Sequence, residues 1–172
     1  MIQLYCGDGK GKTTAAVGAA VRAAGRGRKI IFAQFMKGQP TGELAVLSQL
    51  DSVTILRSSK AFPFFANMTE EQKQELAGLH DRMLDTILAA LAEGRTDFVV
   101  LDEATHACRF GLLDEEKLER ILAYGKSLTT EIILTGRDAP ERLYEASDYI
   151  SEIRCVRHPY TDGVKARVGI EL

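Results

Sequence analysis

The sequence predicts an α/β fold in which a mostly parallel central sheet is covered by helices on both faces. Short, almost fully apolar runs alternate along the chain with longer segments of helical periodicity. Apolar runs of this kind are typical of strands buried on both faces, and their alternation with helices favours parallel crossover units. The chain has 172 residues, enough to bury a core, and we predict a single domain over residues 1–172.

Six segments are predicted as strands because each is a short apolar run that ends at turn-forming or charged residues. They are residues 2–6, 29–35, 53–57, 98–101, 132–135 and 149–155, all predicted to be buried. Apolar residues at helical spacing fill the intervals. The predicted helices are residues 12–24, 42–50, 69–93, one that begins after Asp114, and 140–146. Thr69 and Gln72 have the spacing of a capping box, and Asp114 can cap the helix that follows it.

Composition argues against several classes of protein. Hydrophobic residues make up 45% and charged residues 27% of the chain, which is typical of a soluble protein. A net charge of −2 offers no basic field for nucleic acid or membrane, and no apolar run approaches the length of a membrane span. The first residues are predicted to form a strand, and a signal peptide is therefore not expected. Three scattered cysteines favour a reduced, cytoplasmic protein.

A glycine–lysine loop joins the first predicted strand to the first predicted helix, which is the context of a Walker A phosphate loop. The residues predicted to bind nucleotide are Gly7, Asp8, Gly9, Lys10, Gly11, Lys12, Thr13 and Thr14. The glycines let backbone N–H groups turn toward phosphate, Lys12 would meet phosphate charge, and the Thr13 hydroxyl would bind Mg²⁺. The first glycine stands one residue later than in the strict pattern. The alternative is a glycine-rich turn that caps an ordinary helix.

Two later predicted strands end in charged residues that could bind the same phosphate groups or their metal ion. Asp102 and Glu103 follow an apolar run, as in a Walker B element, and are predicted to hold Mg²⁺ beside the phosphates. Arg137 follows another buried run and could stabilise phosphate charge. The alternatives are solvated acids and a surface arginine. Together with the glycine loop, these elements predict a three-layer P-loop NTPase fold of the RecA-like kind.

The order and spacing of these motifs resemble the ATP:corrinoid adenosyltransferases, a P-loop family that makes adenosylcobalamin, along nearly the whole chain. The compressed glycine loop is expected for that family. The other matching segments are residues 34–38 with Gly42-Glu43, residues 100–103, residues 134–137, residues 146–148 with Ser151-Glu152, and the C-terminal set of His158, residues 163–166 and residues 169–171.

The resemblance implies that a Co(I) corrinoid attacks the 5′-carbon of ATP and that triphosphate leaves whole. The phosphate loop would then hold a leaving group, and Lys12, Thr13 and Arg137 would be the catalytic residues. The nucleophile is an electron-rich metal, so no general base is required. The resemblance also implies a homodimer and a flavoprotein reductant. The long predicted helix, residues 69–93, is a candidate dimer interface, with an ordinary core-facing helix as the alternative.

In the family, aromatic side chains displace the lower ligand of Co(II), which eases reduction to Co(I). Phe62 and Phe64 are the candidates here, and a hydrophobic plug is the alternative. Relatives often carry a tryptophan in this segment, whereas this chain has none and continues with Phe65-Ala66-Asn67-Met68. Some relatives have an N-terminal extension over the corrin. This chain starts at its first strand, which predicts a more open pocket or a different cover.

Other interpretations stay open at this stage. Lys37 is predicted as a solvated surface lysine, with contact to phosphate or corrin as the alternative. The same motifs suit a P-loop phosphotransferase or NTP-hydrolysing enzyme, which would release ADP or transfer phosphate. They also suit a nucleotide-binding switch protein with almost no turnover. Cobalamin, cobinamide and the a,c-diamide intermediate all remain possible corrinoid substrates.

Overall fold

The computed structural model describes residues 1–39, 41–127, 129–159 and 163–170. One six-stranded sheet runs through it in the order β3-β2-β4-β5-β1-β6, and every pairing between its strands is parallel. The strands are β1 Ile2–Cys6, β2 Ile30–Gln34, β3 Val53–Arg57, β4 Phe98–Asp102, β5 Glu131–Thr135 and β6 Tyr149–Glu152. The predicted α/β fold with a parallel sheet is therefore confirmed.

Helices cover both faces of the sheet and complete the three layers. They are α1 Lys12–Ala24, α2 Gly42–Leu47, α3 Glu70–Ala92, α4 Ala104–Arg109, α5 Glu115–Gly125 and α6 Glu141–Ala146. Helices α1 and α2 bury Ala16, Ala20, Leu44 and Leu47 on one face. The other four helices pack on the opposite face, where α3 supplies the largest share of the core. No described helix is both long and apolar enough to cross a membrane.

The predicted helix caps are confirmed by their hydrogen bonds. Thr69 and Gln72 form a reciprocal capping box at the start of α3. The Asp114 carboxylate accepts a hydrogen bond of 2.9 Å from the Lys117 N–H. Pro140 is the N-cap of α6 and lies just outside the helix. Helix α4 was not predicted, because six residues are too few to show a helical period.

The prediction of a buried last strand over residues 149–155 was wrong. Strand β6 ends at Glu152, and all four of its residues are exposed. Because β6 lies at the edge of the sheet and pairs only with β1, its apolar residues Tyr149 and Ile150 lack a covering layer. The chain beyond it, residues 153–155, leaves the sheet and lies against the glycine loop.

The strand order brings the predicted site residues to one edge of the sheet. Strand β5 lies between β1 and β4, and all three run in the same direction. The carboxyl ends that carry the glycine loop, Asp102 and Arg137 are therefore neighbours. Ligands of open parallel sheets bind at this edge.

Candidate active site

The glycine loop is held in shape by the chain segment that follows β6. The Gly9 N–H donates to the Ile153 carbonyl at 2.8 Å. Gly7 has a φ of 99°, and a Cβ at this position would lie 2.4 Å from the same carbonyl oxygen. A side chain is excluded there both by the backbone conformation and by the close approach of the chain. The backbone of the loop is thus fixed before a ligand binds.

Asp8 strengthens this contact. Its carboxylate accepts a hydrogen bond of 2.9 Å from the Cys155 N–H. That bond lowers the pKa of Asp8 below its ordinary value. Burial opposes this shift, and the positive charges of Arg137 and Lys12 add to it. The Asp8 side chain therefore ties the loop to residue 155.

Lys12 places its charge inside the loop. It is only 7% exposed, and its Nζ donates to the Gly9 carbonyl at 2.7 Å. Burial lowers the pKa of Lys12, and the nearby positive charge of Arg137 lowers it further. Arg137 itself is exposed. Its positive charge acts on both Lys12 and Asp8, so Arg137 stands near the glycine loop, and its role toward phosphate stays a prediction.

Asp102 is the centre of a hydrogen-bonded network and is fully buried. Its Oδ1 accepts from the Thr13 hydroxyl at 2.8 Å and from the Thr135 hydroxyl at 2.7 Å. Its Oδ2 accepts from Lys37 Nζ at 2.7 Å and from Gln34 Nε2 at 3.3 Å. Thr13 and Asp102 are therefore in contact, as predicted, although 89 positions separate them in the sequence.

The sequence prediction for Lys37 was wrong. It is not a solvated surface lysine, because its ammonium forms an ion pair with Asp102 and its side chain is 27% exposed. The same ammonium lies 3.2 Å from the Thr13 hydroxyl. Sequence reasoning missed this role, since the only local signal was a lysine three residues after the end of a strand next to β4.

The residues around Asp102 fit a magnesium ion. Mg²⁺ prefers oxygen ligands and in phosphate sites takes one or two from the protein, with phosphate and water supplying the rest. The Thr13 hydroxyl and the Asp102 carboxylate meet at 2.8 Å, and the Lys37 ammonium already bridges the two. The oxygen atoms of Thr13 and Asp102 that would bind a metal cation therefore already bind a positively charged group. Within the described residues no group of three or more His, Cys, Asp or Glu could hold a metal.

Glu103 points to a different partner. Its backbone is left-handed, with φ of 61°, and its N–H donates to the Thr135 hydroxyl at 2.9 Å. Its carboxylate accepts from His106 Nδ1 at 2.7 Å. Burial alone would raise the pKa of Glu103, but the His106 hydrogen bond and the charges of Lys37 and Lys12 together lower it. Glu103 therefore lies beside the predicted metal site with its carboxylate committed to His106.

The aromatic loop divides into three environments. Phe62 is half-buried against the core, with Lys60 Nζ 5.2 Å from its ring centroid. Phe64 is 88% exposed. Phe65 stacks on Phe110 with ring centroids 4.0 Å apart. Only Phe64 thus presents a free aromatic face.

A stack that sequence reasoning missed connects this loop to Glu103. The His106 ring lies 6.0 Å from Phe110, nearly parallel to it, and Phe110 in turn stacks on Phe65. His106 and Phe110 stand four residues apart, the spacing of neighbours on one helix face. That spacing was visible in the sequence, but it acquires meaning only once α4 is known to be a helix.

The C-terminal segment of the resemblance lies at the surface. Residues 163–170 are exposed. Glu171 belongs to the same predicted segment and lies outside the described residues.

Comparisons with known proteins identify relatives of this chain. A corrinoid adenosyltransferase of Escherichia coli strain K12 is 34% identical over 172 residues, which cover 99% of this chain and 85% of the relative. The corrinoid adenosyltransferase CobA of Salmonella typhimurium strain LT2 is 33% identical over 174 residues, with the same coverage.

The crystal structure of the flagellar accessory protein FlaH from Methanocaldococcus jannaschii has the same fold. Its TM-score is 0.55 at 13% identity, with 88% of this chain and 69% of that one covered. The family model for ATP:corrinoid adenosyltransferase BtuR/CobO/CobP matches residues 1–172. The chain belongs to this ATP:corrinoid adenosyltransferase family.

Proposed function

We propose that this protein transfers the 5′-deoxyadenosyl group of ATP to the cobalt of a Co(I) corrinoid and releases triphosphate, in the biosynthesis or salvage of adenosylcobalamin. The observation that supports the proposal is that Lys12 lies within the glycine loop and Thr13 contacts Asp102, in a chain that matches this family over its whole length. The same site would serve a phosphotransferase or a switch protein, but neither alternative explains the family match.

The reaction displaces one group at a saturated carbon. The cobalt electron pair forms a bond to C5′, the C5′–O bond breaks, and its electron pair leaves with triphosphate, so Co(I) becomes Co(III). The electrostatic task is to stabilise negative charge that grows on the leaving oxygen. The ammonium of Lys12, the N–H groups of residues 10–13 and the guanidinium of Arg137 are the groups that would do this, because the Gly9 N–H is already held by the Ile153 carbonyl.

Magnesium is part of the proposal. Thr13 and Asp102 would hold it, and it would neutralise triphosphate charge as a Lewis acid. Glu103, the other predicted ligand, would act from beside them or orient water. We assign no general base, because a cobalt nucleophile carries no proton to remove. The hydrogen bond between Glu103 and His106 agrees with this assignment, since each group already has a partner.

The corrin would bind against the aromatic loop. An aromatic ring that is 88% exposed gains from contact with a flat apolar macrocycle, which makes Phe64 the better candidate to displace the lower cobalt ligand. Phe62 is half-buried beneath Lys60 and would support the loop from below.

The remaining proposals concern the setting of the enzyme. We propose a homodimer and a flavoprotein electron donor, which the family resemblance supports. We also propose a single domain over residues 1–172, which the chain length supports, and a cytoplasmic location, which the scattered cysteines support. A dimer through α3 would use the part of that helix that the core leaves free, because its apolar stripe is already buried in the monomer.

An anaerobic assay tests the proposed function. Purified protein, Mg-ATP and chemically reduced cobalamin are mixed, the cobalt spectrum is followed, and the phosphate product is identified. A light-sensitive alkylcobalamin spectrum with one triphosphate per turnover is expected. Release of ADP or phosphate without a change at cobalt would instead identify a phosphotransferase or hydrolase. Repeating the assay with cobinamide and the a,c-diamide would rank the corrinoid substrates.

A further inference from the structure

The ammonium of Lys37 stands where the proposed metal ion would bind. It lies 2.7 Å from Asp102 Oδ2 and 3.2 Å from the Thr13 hydroxyl, the two protein groups that suit Mg²⁺. Asp102 has no exposed surface, so water cannot replace a lost partner there without entering the protein. A buried carboxylate that loses its cation is strongly destabilised. A metal ion bound at Asp102 would therefore have to displace the Lys37 ammonium from this carboxylate.

The backbone that carries Lys37 is fixed on both sides of the residue. The Met36 N–H donates to His80 Nε2 at 3.3 Å, and Met36 has a left-handed φ of 59°. On the other side, a Cβ at Gly38 would lie 2.5 Å from the Ala61 Cα, so the two backbones are in close contact. The flexible four-carbon stem of Lys37 can move its ammonium while this backbone stays in place.

We propose that Lys37 is an internal counter-ion that keeps divalent metal out of the nucleotide-free protein and yields Asp102 only to metal that arrives with ATP. The triphosphate supplies the missing metal ligands and also attracts the displaced ammonium. Metal alone supplies neither, so it binds poorly. The inference rests on the proposed function only in taking Thr13 and Asp102 as the metal site.

The test measures metal binding without nucleotide and without a corrinoid. Mn²⁺ is titrated into the protein and free Mn²⁺ is followed by electron paramagnetic resonance, for the wild type, Lys37→Met and Lys37→Gln. We expect both variants to bind Mn²⁺ at least about tenfold more tightly than the wild type, because the buried carboxylate has lost its competing cation. Adding ATP should tighten Mn²⁺ binding more in the wild type than in either variant.

Lys117→Met is the matched control. Lys117 also pairs with a carboxylate, Asp85, and its side chain is 24% exposed against 27% for Lys37. Its removal should leave Mn²⁺ affinity unchanged. Adding Asp102→Asn to Lys37→Met should abolish the gained binding, which locates the metal at Asp102.

Equal Mn²⁺ affinity in the wild type and the Lys37 variants would overturn the proposal, as would tight binding to the wild type without ATP. Lys37→Gln keeps a hydrogen-bond donor beside Asp102 and decides the question if Lys37→Met does not fold. An absence of alkylcobalamin in the enzymatic assay would remove the proposed function but leave the Mn²⁺ result interpretable. The two failures are therefore distinguishable.

Discussion

The two halves of the site differ in how completely the protein prepares them. On the nucleotide side, Lys12 and Asp102 are buried, and Lys12, Asp102 and Lys37 each have a partner at hydrogen-bond distance. On the aromatic side, Phe64 projects into solvent. Charge stabilisation requires dipoles fixed in advance, whereas an apolar macrocycle requires only a complementary surface. The protein is thus preorganised on the side that must stabilise charge, and less so on the side that would contact an apolar ring.

The largest expected effect comes from breaking the nucleotide side. Lys12→Ala should lower kcat/KM for adenosyl transfer by about 10²-fold or more, the usual loss when one preorganised charge at a leaving group is removed. The melting temperature should not fall, because the variant no longer buries an ammonium group. Steady-state kinetics and thermal unfolding measure the two effects.

Lys10→Ala is the comparison for this prediction. Lys10 lies in the same loop, but its side chain is exposed, so its charge is screened by water. Its loss should reduce activity much less than the loss of Lys12. Similar losses in both variants would mean that the loop acts through its overall charge and not through the buried position of Lys12.

The next largest effect is a pH dependence of stability that originates at His80, which supports the segment carrying Lys37. His80 accepts from the Met36 N–H and must therefore donate from Nδ1 to the Leu112 carbonyl, which only the neutral ring can do. Burial lowers the pKa of His80 to about 4, against weaker opposing effects of Leu112 and Asp81. An unfolded histidine titrates near pH 6.5, so the unfolded state binds the proton first as the pH falls.

The stability that neutral His80 contributes should be complete above about pH 6.5 and decrease as the pH falls toward 4, by about 3 kcal/mol in total. Denaturant unfolding at pH 7 and pH 4.5 measures this loss. His80→Gln lacks the titrating ring, so the wild type should lose about 2 to 3 kcal/mol more than the variant between these pH values. Parallel losses in both proteins would contradict the neutral, buried assignment.

Local chemistry explains what the sequence predicted correctly. The glycine loop, the run before Asp102 and the capping box at Thr69 each depend on residues that are adjacent in the chain. Apolar runs between helices likewise specify parallel strands, and the order of motifs specifies the family. The proximity of Thr13 to Asp102 followed from placing two such motifs at one sheet edge.

Contacts between distant segments explain what was missed. The charge of Lys37 is neutralised by Asp102, 65 residues further along the chain, and no local pattern encodes that pairing. The exposure of β6 depends on its place at the edge of the sheet, which its apolar composition does not reveal. The stack of Phe65 on Phe110 depends on α4, a helix too short to show a period.

The smallest expected effects separate the two aromatic candidates. Phe62→Ala should destabilise the fold by about 1 to 2 kcal/mol, because a half-buried ring loses its contact with the core. Phe64→Ala should change stability by less than about 0.5 kcal/mol, since the ring is already in water. Denaturant unfolding measures both changes.

Activity should follow the opposite order. Phe64→Ala should slow adenosylation that starts from Co(II) more than adenosylation that starts from pre-reduced Co(I), because only the first route needs the lower ligand displaced. Phe62→Ala should show a smaller difference between the two routes. If Phe64→Ala lowers the rate equally from Co(II) and from Co(I), Phe64 only contacts the corrin. The aromatic loop would then provide a binding surface and would not displace the lower cobalt ligand.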